Sequence, residues 1–317
     1  MHVLNLTTNA DARFYRLQVR ALEESHGVTC TTLSVPGKHR AGSPRTATDY
    51  LRFFPQVIRR SLGKYDLIHA NYGLTAPMAL SQPRLPVVLS LWGSDLEGSY
   101  RPVSRISARF CDAVIVMSEE MKESLGQECS VIPHGVDLER FSPTPQSEAR
   151  AELGWSDDTY HVLFPYSPDR TVKDYPRAER VVEAAREQVQ KPVELHTISG
   201  LPHPRVAVYM NASDSLLLTS KREGSPNVVK ESLACNLPVV STRVGDVPER
   251  LAEVDPSFVC DSDDELVENL VRVLELNERS NGREEAKRIG IEQMADHIYE
   301  VYEEVLAENG RKIAQTA

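Results

Sequence analysis

Three observations predict two α/β domains in tandem, each a parallel sheet with crossover helices. Strand-like and helix-like runs alternate along the whole chain, the pattern of repeated β-α-β units. At 317 residues the chain is long for a single core and suits two domains of about 150 residues each. Between the halves lies a polar, proline-containing stretch, Phe141-Ser-Pro-Thr-Pro-Gln-Ser, that reads as a linker. The expected bounds are 1–142 and 143–295, with a separate final segment at 296–317.

In the first half the strand candidates are His2–Leu6, Val28–Val35, Leu67–Asn71, Val87–Trp92, Ala113–Ser118 and Ser130–His134. Helical spacing falls at Arg13–Ser25, Thr48–Leu62, Arg101–Phe110 and Glu119–Leu125. The second half continues with strands at Tyr160–Tyr166, Val193–Ser199, Ser215–Thr219, Pro238–Ser241 and Ser257–Cys260. Its helices are expected at Pro176–Gln190, Pro204–Asn211, Pro226–Cys235 and Asp263–Leu276. The run Ile291–Leu306 places Met294, Ile298, Val301, Tyr302 and Val305 on one helical face.

Apolar residues make up 41% of the chain and charged residues 26%, as in a soluble globular protein. No apolar run approaches the ~20 residues that a spanning helix needs. The first ten residues lack a basic segment followed by an apolar one, so no secretion signal is expected. Five scattered cysteines, none in Cys-x-x-Cys, argue for a reducing, cytoplasmic setting and against a disulfide framework or zinc site. The net charge of −10 is unevenly placed: residues 1–150 carry 17 Lys+Arg and 15 Asp+Glu, the rest 19 and 31. That acidic second half argues against a nucleic-acid partner. One local excess is basic: Lys38, Arg40, Arg45, Arg52, Arg59, Arg60 and Lys64 are accompanied only by Asp49. The helix among them has two readings, a solvated surface or a face for anionic lipid headgroups.

The segment 220–249 carries the chemistry. Glu223 and Glu231 stand with seven residues between them, around a helix start suited to anions. Ser225 reads as an N-cap, Pro226 as the first helical residue, and Gly224 as a point of close backbone approach. The unpaired N–H groups of such a first turn favour phosphate. The run Glu-Gly-Ser-Pro-Asn, Glu-Ser-Leu-Ala-Cys, Pro-Val-Val-Ser-Thr and Val-Gly-Asp-Val-Pro-Glu resembles the E-x7-E signature of glycosyltransferase family 4, the retaining GT-B glycosyltransferases. The resemblance implies two Rossmann-like domains facing across a cleft, with the last helix crossing back to the first domain. It also implies that Glu223 contacts the donor sugar, that Gly224, Ser225, Pro226 and Asn227 bind sugar and phosphate, and that Glu231 holds the ribose.

Other stretches carry the resemblance further. Val131-Ile-Pro-His-Gly-Val-Asp is similar to the family's interdomain motif, with His134 where Asn is usual, at the donor or lining the cleft. After the first strand of the second half come Arg170 and Lys173, near enough to form one cationic site. A loop at the carboxyl end of a strand is where open α/β sheets bind ligands. Fixed positive groups there would stabilise a departing nucleoside diphosphate, as the matching family residues do. Leu89-Ser-Leu-Trp-Gly-Ser-Asp resembles the family's His-Gly-x-Asp stretch, but Trp92 replaces the His. Trp92 stands as either a sugar-stacking face or a core residue. Asp95 and His69 are the remaining acceptor-side candidates, His69 with a purely structural alternative.

The glycine-rich loop expected after the first strand is missing, and no Gly-x-Gly-x-x-Gly occurs, so no dinucleotide cofactor is expected. No metal site is expected either: the nine His are dispersed, and no Asp-x-Asp element is present in the first half. The function implied is metal-independent, retaining transfer of a sugar from a nucleoside-diphosphate sugar to a hydroxyl of a glycan or lipid-linked acceptor, in cell-surface polysaccharide or glycoconjugate synthesis. The expected location is the cytoplasm, with the inner face of the membrane as a peripheral contact. The alternatives are a GT-B sugar-nucleotide epimerase or hydrolase, and a non-catalytic sugar-nucleotide-binding relative.

Overall fold

The computed structural model describes residues 1–37, 45–97 and 100–316. It divides into one unit of residues 1–135 with 291–317 and another of residues 136–290. Lys38 and Arg40 of the basic stretch lie outside the described residues.

In the first unit the order is β1 (His2–Thr7), α1 (Arg13–His26), β2 (Thr29–Ser34), α2 (Ala47–Ser61), β3 (Leu67–Asn71), α3 (Ala76–Leu80) and β4 (Val87–Ser90). Then come α4 (Ser94–Glu97), α5 (Arg101–Ala108), β5 (Ala113–Val116), α6 (Glu119–Leu125) and β6 (Ser130–Val131). The strands form a parallel sheet in the order β2-β1-β3-β4-β5-β6. β3 and β4 are buried along their whole length, as expected of inner strands covered on both faces. Helix α2 begins with a capping box, in which Thr46 and Asp49 satisfy each other's backbone N–H groups.

The second unit runs α7 (Gln146–Leu153), β7 (Tyr160–Phe164), α8 (Tyr175–Arg186), β8 (Val193–Thr197), α9 (His203–Ala212), β9 (Ser215–Leu218) and α10 (Asn227–Ala234). It continues with β10 (Val239–Thr242), α11 (Val247–Leu251), β11 (Phe258–Cys260), α12 (Asp263–Leu276) and α13 (Arg283–Arg288). Its parallel sheet has the order β11-β10-β9-β7-β8, so β8 is an edge strand.

The stretch read as a linker is part of the second unit. Phe141 is fully buried in that unit's core with Val136, Leu163 and Leu233. The Arg283 guanidinium donates to the carbonyls of Leu138, Phe141 and Ala234, at 3.0, 2.9 and 2.6 Å. Proline and polar residues in the stretch are therefore consistent with an ordered, hydrogen-bonded entry rather than a free connection. The unit begins at Val136, and its return point is Gly290 rather than residue 295.

The last helix, α14 (Ile291–Thr316), belongs to the first unit and packs against α1. Met294, Ile298, Val301, Tyr302 and Val305 are all buried there, so the helical spacing read from the sequence is the packing face. His26 stacks on Tyr299 with ring centroids 4.2 Å apart and pairs with Asp296 at 2.8 Å.

His69 locks this helix to the sheet, which corrects its reading as an acceptor-side residue. It is fully buried, with Nδ1 2.6 Å from the Tyr302 hydroxyl and Nε2 2.7 Å from Ser90 Oγ. Both ring nitrogens are thereby engaged within the core, and burial pushes the imidazole down to about 3. Unfolded, the same side chain takes up a proton below its ordinary 6.5. A base whose folded pKa is depressed stabilises the fold fully above the unfolded pKa, and stability falls as pH drops below it. The expected slope from this one residue is about 1.4 kcal/mol per pH unit between roughly pH 6 and pH 4. Urea unfolding across that range checks it: His69→Gln should remove about one proton's worth of slope, and an unchanged slope would contradict the assignment.

Candidate functional site

In the second unit, the loops after β7 and β9 and the start of α10 form one polar cluster. Both strands end there because the chain turns into Tyr166–Lys173 and Ser220–Pro226 respectively. The two loops are stitched together by backbone and hydroxyl bonds. Lys221 N donates to the Val172 carbonyl at 2.9 Å, and Thr219 Oγ1 contacts the carbonyls of Lys173 and Asp174 at 3.0 Å each.

Glu223 and Lys173 meet as a buried ion pair. The Lys173 ammonium reaches Oε1, Ser220 Oγ donates to the same oxygen at 2.7 Å, and the Tyr166 hydroxyl lies 3.5 Å from it. Lys173 Nζ also sits 3.9 Å from the centre of the Tyr166 ring, over its face, a cation–π contact. Burial holds the Lys173 ammonium below its ordinary value, and the Glu223 carboxylate opposes that shift. Tyr166 is raised well above its ordinary range, first by burial and then by Glu223. Arg170 is exposed, with its guanidinium carbon 5.3 Å from the same ring. Thus Arg170, Lys173 and Glu223 gather around Tyr166, which the sequence reading did not single out. Glu231 is buried on α10 and also raises Tyr166 electrostatically, so the aromatic ring stands near both carboxylates.

The helix start differs from the sequence reading. Helix α10 begins at Asn227, and Pro226, in extended backbone, is its N-cap. Ser225 is therefore not the cap. Its hydroxyl instead donates to Asp246 Oδ2 at 2.7 Å and accepts from Lys230 Nζ at 3.0 Å. Arg250 extends this chain, with Nε 3.3 Å from Asp246 Oδ2 and Nη1 2.6 Å from Glu285. Burial lowers Lys230 to about 8 and raises Asp246, while each partly offsets the other's shift. Asn227 has a buried Oδ1 with no hydrogen-bond partner among the described residues, at the first position of the helix. Gly224 approaches a second glycine: Asp246 N donates to the Gly224 carbonyl at 3.0 Å. A Cβ on Gly245 would lie 2.1 Å from that carbonyl oxygen, and Gly245 has φ +51°.

Besides His69, three candidate residues lie in the first unit. Trp92 is half-buried and meets Phe14 edge-on at 4.5 Å, with Tyr72 at 6.2 Å and His134 at 5.8 Å. His134 lies 4.5 Å from Phe14 and joins this aromatic group. Asp95 is wholly buried. Its Oδ1 accepts from the N–H groups of Trp92 and Gly93 at 2.9 and 3.0 Å, and Oδ2 from Gly73 N at 3.0 Å. Desolvation raises it to about 6 despite those bonds. Its reading as a contact for an acceptor hydroxyl is corrected: both oxygens are engaged in fixing the loop that carries Trp92.

The family described as Glycosyltransferase Family 4 matches residues 1–140, and the one described as Glycosyl transferases group 1 matches residues 173–276. The chain belongs to glycosyltransferase family 4. This family 4 chain is 29% identical over 247 residues to the putative teichuronic acid biosynthesis glycosyltransferase TuaC of Bacillus subtilis, covering 68% of the chain and 62% of that protein. It therefore spans a little under two thirds of that relative's length. It is 24% identical to D-inositol 3-phosphate glycosyltransferase 1 of Catenulispora acidiphila, over 81% of the chain and 76% of that protein. Among solved structures it resembles sucrose-phosphate synthase from Thermosynechococcus elongatus, with TM-score 0.77, 17% identity and coverage of 97% and 100%. Anabaena HepE in complex with UDP gives TM-score 0.67 at 18% identity, covering 96% and 100%. These likenesses establish the GT-B fold, two Rossmann-like domains.

Tyr166, Ser220, Lys230, Asp246 and Arg250 were missed by sequence reasoning, and Ser225 was read as a cap instead of as the link among the last three. Only Tyr166 had a usable signal, since it lies two residues past the end of β7, at the mouth of a loop already suspect.

The glycine pair yields a test. Gly245→Ala adds a methyl group where the Gly224 carbonyl lies and keeps a left-handed backbone, costing at least about 2 kcal/mol. Urea unfolding should show that loss. Wild-type stability in the variant would refute the close approach.

Proposed function

We propose that the chain transfers a sugar from a nucleoside-diphosphate sugar to a hydroxyl of a glycan or lipid-linked acceptor, with retention at the anomeric carbon and without a catalytic metal. One observation carries this reading: a buried Lys173–Glu223 pair, flanked by Arg170, sits beside the start of α10 at the carboxyl ends of β7 and β9. Cations and helix amides at that place suit a diphosphate, and such loops are where α/β sheets hold ligands. A neighbour of the same fold is described in complex with UDP, which agrees with a nucleotide-bearing donor.

On this reading Lys173, Arg170 and the first amides of α10 neutralise charge growing on the departing diphosphate. Glu223 is held through Oε1 by Lys173 and Ser220, leaving Oε2 to orient the donor sugar and face its developing positive charge. Glu231 anchors the ribose. Gly224, Pro226 and Asn227 line the sugar and phosphate path, and Ser225 holds that loop to Asp246. The acceptor hydroxyl attacks the face that the diphosphate leaves, and a phosphate oxygen takes its proton. In the first unit, the aromatic group of Phe14, Tyr72, Trp92 and His134 offers a stacking surface for an acceptor sugar.

We further infer that the same unit attaches to an anionic membrane through the exposed sides of α2 and α5. Among the described residues no helix is long and apolar enough to cross one. Helices α2 and α5 both pack against α3. They and their flanks expose Leu51, Phe54, Leu62, Tyr100, Ile106 and Phe110, interleaved with Arg52, Arg59, Arg60, Arg101 and Arg109. Exposed apolar side chains among arginines fit peripheral insertion between acidic headgroups and bring a lipid-linked acceptor within reach. Peripheral attachment at the inner face of the membrane follows from this reading.

Two measurements test the proposal. After a screen of UDP-, GDP- and ADP-sugars, Glu223→Gln should lower kcat about 100-fold or more while nucleoside diphosphate binding stays within about threefold. Full activity in that variant would sink the catalytic role. In vesicle sedimentation, wild-type chain should bind phosphatidylglycerol over phosphatidylcholine, and Phe54→Asp with Ile106→Asp should abolish the preference. Equal binding to both lipids would refute the membrane face.

A further inference from the structure

We infer that the second unit holds a structural zinc-class ion between β7 and its edge strand β8, bound by His161, Glu194 and His196. The strands are parallel with His161 opposite Glu194, and His196 lies two residues further along β8, so all three side chains leave the same face. Their ligand atoms already form a compact triangle. His161 Nδ1 lies 2.9 Å from His196 Nε2, and Glu194 Oε2 lies 3.8 Å and 3.5 Å from those two nitrogens. A point equidistant from atoms so spaced is about 2 Å from each, the length of Zn–N and Zn–O bonds.

The surroundings prepare these rings for a metal. His161 is fully buried, and its Nε2 donates to the Ser156 carbonyl at 2.8 Å. That bond commits the proton to Nε2 and turns the Nδ1 lone pair toward Glu194 and His196, the arrangement by which a backbone carbonyl orients a metal-bound histidine. The His161 backbone N–H is fixed in turn by Asp214 Oδ2 at 2.7 Å. Trp155 lies flat on both imidazoles, 3.8 Å from His196 and 4.5 Å from His161 between ring centroids. Without an ion, the His196 Nε2–H donates to His161 Nδ1. To bind one, His196 shifts its proton to Nδ1, and no net proton is released. Two imidazoles and one carboxylate suit Zn2+ and its neighbours Co2+ and Ni2+, not Mg2+ or Ca2+, which take oxygen ligands. The fourth position is left to water.

His161 lies near the amino end of β7, while Arg170 and Lys173 follow its carboxyl end. The ion would therefore pin the edge strand without touching the donor loops, and its presence is independent of the proposed transfer reaction. Untagged protein treated with chelator and then dialysed against Zn2+ alone should retain one ion per chain by elemental analysis. Saturating Zn2+ should raise Tm by about 5 °C or more, and Mg2+ should not. In a Trp92→Phe background, where Trp155 is the remaining tryptophan, Co2+ should quench its fluorescence. His196→Ala should weaken Zn2+ binding at least 100-fold and Glu194→Gln about 10-fold, each read as the zinc-induced shift from that variant's own metal-free Tm. Sub-stoichiometric zinc in the wild type, or zinc and quenching retained in His196→Ala, would overturn the assignment.

Discussion

The pairing of Lys173 with Glu223 is the constraint on which the loops after β7 and β9 depend. Two ionised groups withdrawn from water are costly unless they meet each other and further partners. Here Ser220 shares the carboxylate oxygen and the face of Tyr166 carries the ammonium. Satisfying these charges fixes the loop after β7 against the loop after β9, and Thr219 and Lys221 complete the join through backbone groups. A site built this way is preorganised: cation and carboxylate are set in place before any ligand arrives, which is what electrostatic catalysis requires. The pair is costly to maintain, and its position at strand ends argues for chemistry over stability.

A second, uncharged constraint shapes the start of α10. The carbonyl of Gly224 runs so close to Gly245 that neither loop could shift without the other. Ser225, tied to Asp246 and Lys230, holds the same segment from its side chain. The loop that reads as a sugar and phosphate binder is thus fixed by contacts below it, which leaves its outer surface and the helix amides for a ligand. In the first unit Asp95 does similar work, gathering three backbone N–H groups so that Trp92 is held in its aromatic group.

Much of the fold was legible in the sequence, because the elements have strong periodicity. The five apolar residues singled out in 291–306 are all buried on α14, and β3 has the bounds that its apolar run indicated. What failed were inferences from single residue types. Proline and serine in 141–147 read as a linker, yet Arg283 and Asn211 capture those backbone groups from distant positions. Ser225 read as a cap because serine caps many helices, but an aspartate 21 residues away claimed its hydroxyl. His69 and Asp95 read as residues of the ligand rim, but His69 lies midway along β3 and Asp95 on α4, where Tyr302, Ser90 and three backbone N–H groups already occupy them. The His161, Glu194 and His196 cluster escaped for the same reason. Helical or Cys-x-x-Cys spacing marks a local site, whereas neighbours across parallel strands carry no fixed spacing.

If the second unit's paired loops hold the nucleotide, as proposed, hydrogen exchange read by mass spectrometry registers it segment by segment. The nucleoside diphosphate giving the largest thermal shift among UDP, GDP and ADP is the probe. Exchange should slow in 165–174 and 219–231, with Lys173→Met losing that protection and segments around β8 unaffected. Protection confined to the first unit, or equal in wild type and Lys173→Met, would contradict it.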